Sequence, residues 1–110
     1  MKLCSREQMR EMDRRTIEDV GIAGIILMEV AGREAAHTLH RLIQEEHSVD
    51  ARTIAVLCGG GNNGGDGFVM ARHLDSFGYD VEVLLLARPE SITGDAWTNL
   101  EILRRLRPSI

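Results

Sequence analysis

Residues 53–68 read TIAVLCGGGNNGGDGF: an apolar, β-branched run, then five glycines and two asparagines ahead of an acid, Asp66. The run Thr53–Leu57 is the kind of near-continuous apolar strand that a parallel sheet buries on both faces. The segment after the glycines, GFVMARHLDSFG (67–78), has helical character and is stopped by Gly78. DVEVLLLA (80–87) reads as a second strand, broken by Pro89. Strand, glycine-rich turn, helix and strand make a βαβ unit, which should be parallel with a right-handed crossover.

Working outward, SREQMREMDRRTIEDVG opens with a capping box from Ser5 to Gln8 and stops at Gly21. Met9, Met12, Ile17 and Val20 keep helical spacing between them. A longer helix is expected over about Ile25 to Glu46, with Leu27, Val30, Ala31, Ala35, Leu39 and Leu42 near one face. Its small residues Ala31, Gly32, Ala35 and Ala36 suit close approach by another backbone. ITGDAWTNLEILRRL (92–106) supplies a last helix before Pro108. The order predicts an α/β fold, Rossmann-like, a three-layer αβα arrangement with parallel strands. Two strands flanked by four helices leave open edges and a thin core. Residues 1–110 are therefore expected to be the N-terminal half of a larger domain, truncated after the second strand–helix unit.

Composition narrows the function classes. A net charge of −4 with dispersed arginines argues against nucleic acid. No apolar run approaches membrane-spanning length, and the first residues lack a signal-peptide core. Cys4 and Cys58 show neither metal-ligand spacing nor a disulfide framework, so both are expected as reduced thiols in the cytoplasm.

The glycine turn can be tested against three ligands. Gly59 to Gly64 formally satisfy G-x-G-x-x-G, but a dinucleotide site of that kind needs an acid at the end of the second strand. Here that strand ends LLLAR, with Asp80 and Glu82 at its other end. A phosphate-binding P-loop fails too, since no Lys-Ser or Lys-Thr follows. The third reading uses the side chains. Glycines permit positive φ and close approach of a ligand, and the helix start offers free N–H groups. Asn62 and Asn63 add amides and Asp66 a carboxylate, a set suited to a hydroxyl-rich ligand and a hard, oxygen-ligated cation. The plainer alternative makes Asp66 a helix cap and the asparagines left-handed turn residues.

The segment VLCGGGNNGGDGFVMARHL (56–74) resembles the signature of the YjeF N-terminal domain family, the NAD(P)H-hydrate epimerases. REQMREMDRRTIEDVGI (6–22) and LMEVAGREAA (27–36) are similar to that family's opening segments. The resemblance implies a metabolite-repair isomerase interconverting the R and S forms of hydrated NADH and NADPH. It implies substrate contacts from Asn62, Asn63, Gly64, Gly65 and Asp66, and a potassium ion ligated by Asn63. A homodimer and a fused or separate dehydratase partner are also implied. Two positions depart from the family pattern: Gly60 stands where proline is usual, and Val30 where an asparagine is frequent.

The remaining catalytic group is unassigned. Epimerisation at a hydroxyl-bearing carbon needs a placed acid/base, which is expected beyond Ile110, with Asp66 engaged by its loop. This chain alone is expected to be inactive. Of the other candidates, His37, His40 and His47 read as surface histidines rather than ligands, and Cys58 as a buried small residue. Trp97 and Tyr79 read as packing groups, and Arg104, Arg105 and Arg107 as charges favoured at a helix C-terminus. The competing function class is a non-catalytic nucleotide-binding or protein-interaction module of the same fold.

Overall fold

The computed structural model describes residues 3–46, 50 and 52–110; His47 lies outside them. Helix α1 (Arg6–Arg15) begins with both halves of the capping box. The Gln8 N–H donates to Ser5 Oγ at 3.1 Å, and the Ser5 N–H donates to Gln8 Oε1 at 2.8 Å. A π-helical turn (Thr16–Val20) follows and ends on Gly21, whose φ of 91° only glycine adopts without strain. Then come α2 (Gly24–Glu45), β1 (Thr53–Cys58), α3 (Asn62–Ser76), β2 (Asp80–Leu85), a 3₁₀ turn (Pro89–Ser91) and α4 (Gly94–Leu106).

β1 and β2 pair in parallel, in register from Thr53 opposite Asp80 to Cys58 opposite Leu85. The α/β class and parallel pairing match the sequence reading. Burial of β1 on both faces does not. Ile54, Val56 and Cys58 turn towards α3, whereas Thr53, Ala55 and Leu57 are exposed, Leu57 by 62%. The period of two puts alternate side chains on opposite faces, and among the described residues only one face is covered by helices. Phe68, Ala71 and Leu74 of α3 join Cys58, Val81, Ile92, Ala96, Leu100 and Leu103 in the core.

The buried face of α2 is also displaced from expectation. Met28, Gly32 and Ala36 are buried, while Val30 and Leu42 are more than half exposed. The cause is packing distance. A Cβ on Gly32 would lie 2.5 Å from Val69 Cβ and 2.8 Å from the Asp66 carbonyl oxygen. The small residues let α3 come in close on their own side, so that side becomes the interface. Ala31 and Ala35, grouped with them by sequence, stay exposed.

Of the histidines read as surface groups, His37 is exposed as expected and His40 is not. His40 is half-buried, stacks on Phe77 at 4.9 Å, and its Nδ1 pairs with the Tyr79 hydroxyl at 2.8 Å. His37 lies 4.8 Å from the same Phe77 ring. Tyr79 packs as expected, but Trp97 remains 38% exposed. Among the described residues no helix is long and apolar enough to cross a membrane.

Candidate functional site

A cleft of about 840 Å³ opens beside the C-terminal end of β1. Its floor is the glycine turn and the first residues of α3, and its walls come from α1, α2 and the start of α4. Asn62, Asn63, Gly64 and Asp66 all line it. Gly65, the fifth predicted site residue, does not: it is buried beneath, where a Cβ would fall 2.6 Å from the Met28 side chain and 3.0 Å from Ala96 Cα.

The sequence reading placed the helix start at residue 67, whereas α3 begins at Asn62. The residues NNGGD therefore form its first turn. Gly61 is the N-cap, and no side chain caps the helix. Asp66 is thus no cap, and neither asparagine sits in a left-handed conformation. Nor do the glycines of the turn adopt positive φ; among the described residues only Gly21, Gly78 and Gly94 do.

What the glycines supply is room, in two directions. Gly64 faces inward, where a Cβ would stand 2.0 Å from the Gly59 carbonyl oxygen. Gly67 lies against the strand, where a Cβ would meet Cys58 Sγ at 2.6 Å. These positions let the helix start fold down onto β1. Gly59 and Gly61 are different: both line the cleft, and a Cβ on either would meet nothing within 4 Å. Neither packing nor backbone conformation requires glycine there, which leaves access to the cleft.

Three carboxylates face this space: Asp13 from the end of α1, Asp66 from α3 and Asp95 from the start of α4. None of them forms an ion pair among the described residues. Burial pushes the Asp66 carboxyl above its ordinary value, and the like charge of Asp13 adds to the shift. Its side chain has no hydrogen-bond partner among the described residues, so the expectation that the loop engages it is overturned. The first main-chain bond of the helix runs from the Gly65 N–H to the Gly61 carbonyl. Cys58, wholly buried below the turn, has a thiol that burial pushes up to about 11, consistent with an inert packing group.

A cluster missed by sequence reasoning supports the site from behind. Glu29 of α2 accepts from Arg72 of α3 and pairs with His73 Nε2 at 2.6 Å. Burial alone would raise the Glu29 carboxyl, but the hydrogen bonds from His73 and Arg72 outweigh it and hold the group below its usual range. The signal was present: Glu29 belongs to LMEVAG and Arg72-His73 to ARHL, two motifs read separately.

The family described as YjeF-related protein N-terminus matches residues 24–110. A bifunctional NAD(P)H-hydrate repair enzyme of Moorella thermoacetica is 46% identical over 96% of this chain and 20% of its own length. An NAD(P)H-hydrate epimerase of Pirellula staleyi is 41% identical over 92% of this chain and 42% of its own. The crystal structure of the yeast protein ynu0 superposes with a TM-score of 0.83 at 31% identity, covering 97% of this chain and 45% of the yeast one. The chain thus spans about a fifth of the bifunctional relative and under half of the other two.

Proposed function

The chain belongs to the YjeF-related protein N-terminus family, and on that premise we propose that its cleft binds hydrated NADH or NADPH for NAD(P)H-hydrate epimerisation. The observation that carries the reading is the arrangement of the NNGGD residues. A cleft at the C-terminal end of a parallel strand, with a helix start in its floor, is where open α/β sheets bind nucleotides. The uncapped first turn of α3 offers backbone N–H groups to an anionic group of the ligand. Asn62 and Asn63, exposed at the cleft floor, offer amides to the hydroxyls of a sugar or of the hydrated ring. Gly59 and Gly61 keep side chains out of the ligand's way.

A potassium ion belongs to the same reading, and the donor chemistry fits it. Asp66 is a partly buried carboxylate that shares the cleft with the like charge of Asp13, so a cation there would relieve the repulsion. Among the described residues no three His, Cys, Asp or Glu side chains come together as a metal site. Asn63 and neutral backbone oxygens would have to complete the shell, as suits a hard monovalent ion rather than a transition metal. The ion would supply positive charge beside the ligand. Asn63 would orient it, and Asp66 would hold its charge in place.

Association into a homodimer completes the proposal, supported by Val20, Ile26 and Val30, all at least half exposed on the π-helical turn and α2. A second repair activity, fused or separate, is supported by the bifunctional relatives. A cytoplasmic setting is supported by the two free cysteines. The test is direct binding of purified NADH hydrate and NADPH hydrate, with and without potassium. Asn63→Ala should weaken binding at least tenfold, about 1.4 kcal/mol. Unchanged affinity in that variant would remove the helix start from the site.

A further inference from the structure

We infer that Arg6 and Arg10 of α1 bind a phosphate group of the substrate. The inference rests on the cleft being the hydrate site. Helix α1 carries four arginines, and the structure divides them sharply. Arg14 and Arg15 are both held by acids: Arg14 meets Glu11 at 2.6 Å and Glu18 at 2.7 Å, and Arg15 meets Glu11 at 3.1 Å. Arg6 and Arg10, one turn apart, line the cleft and have no ion-pair partner among the described residues. Glu11 and Glu18 are taken by Arg14 and Arg15, while Asp13, which lines the cleft with Arg6 and Arg10, forms an ion pair with neither.

The charge balance of the cleft gives the two free guanidinium groups a task. Its lining carries two arginines against three aspartates, Asp13, Asp66 and Asp95, a formal sum of −1. A dinucleotide brings a diphosphate, and its NADPH form a further phosphomonoester worth about −1.5 to −2 at neutral pH. Such a ligand cannot settle among three carboxylates without cations facing its phosphates. Guanidinium is suited to that part, since its planar fork takes two phosphate oxygens at once.

The same helix buries none of its residues. Little besides the π-helical turn holds it over the cleft, so a bridging phosphate would tie it down. Binding should therefore slow amide exchange along α1, which a ligand held only by the α3 start would not do.

The experiment compares three proteins with NADH hydrate, NADPH hydrate and inorganic diphosphate as probes. They are the wild type, the Arg6→Ala/Arg10→Ala variant and the Arg14→Ala/Arg15→Ala control, which loses the same charge from side chains that do not line the cleft. The expected result is a loss of at least tenfold in affinity in the first variant only, partly restored by Arg6→Lys/Arg10→Lys, with loss of α1 protection. A loss on both hydrates identifies the diphosphate as the bound group, and a loss confined to NADPH hydrate identifies the 2′-phosphate. Equal losses in the control, or none in either variant, would overturn the inference. If the wild type binds neither hydrate but holds inorganic diphosphate through Arg6 and Arg10, the epimerase reading falls and the arginine site stands. Binding of no probe would overturn both.

Discussion

At the scale of single residues, the glycines of the turn separate into those the fold needs and those a ligand needs. Gly64→Ala would press a Cβ to 2.0 Å from a backbone oxygen that cannot swing aside. We expect a stability loss of about 2–4 kcal/mol, in the range of serious overpacking, read as an earlier denaturant midpoint. Gly59→Ala meets open space at the cleft and should leave that midpoint unchanged while weakening hydrate binding. Equal destabilisation by both would refute the division. Asp66 makes a second case. Its raised pKa means that the folded state binds its proton more tightly than the unfolded chain does. Stability from this group is therefore greatest below the ordinary carboxylate value and falls as pH rises through the raised one. Asp66→Asn should accordingly raise the melting temperature at pH 7, an advantage that shrinks on acidification, while binding falls at least tenfold. A variant less stable than wild type at pH 7 would show that Asp66 has a favourable partner in the fold.

At the scale of elements, the Glu29 bridge has the opposite sign. Its carboxyl is held below the usual range, so its contribution is fully present above the ordinary value and is lost as pH falls through the depressed one. Glu29→Gln keeps the shape and removes the charge, and should lower the melting temperature at pH 7, a difference that shrinks as pH falls below the ordinary carboxylate value. Because α2 carries Glu29 and lies against the Asp66 carbonyl through Gly32, hydrate affinity should fall as well. A melting difference independent of pH would assign the role to packing instead.

Much of the element order was legible because each boundary has a local cause: Ser5 with Gln8, Gly21, Gly78, and Pro89 after the second strand. The start of α3 was not, because GGDG has the composition of a turn. It is helical because the strand below and α2 behind leave no space for side chains there. The phase of α2 was misjudged for a related reason. Hydrophobicity pointed to Val30 and Leu42, but distance to the neighbouring helix selected Gly32 and Ala36. The NNGGD site was legible as chemistry, while the walls that α1 and α4 give it depend on contacts far apart in sequence.

At the scale of the whole molecule, the uncovered face of the sheet sets the solution behaviour. Leu57, Leu84 and Leu86 are 62, 43 and 68% exposed, and Leu57 pairs with Leu84 on adjacent parallel strands. Fully burying one leucine is worth about 1.5–3 kcal/mol, so even the exposed fractions of three give a patch able to drive contact between copies. Both strands are also edges, each with unpaired backbone groups ready to accept another strand. The helices offer a second and separate surface at Ile26 and Val30, one turn apart on α2 and about half exposed. The two surfaces lie on different layers, so using both links copies into species larger than a dimer. Sedimentation of the 110-residue chain should show such species growing with concentration. Leu57→Lys/Leu84→Lys should abolish everything above the dimer, because a charge on an exposed strand face blocks sheet-to-sheet contact. Ile26→Lys/Val30→Lys should dissolve the dimer and leave any sheet-mediated association in place. A monomer at high concentration in the unmodified chain would show that neither surface is sticky enough, and identical effects of the two double variants would reduce them to one interface.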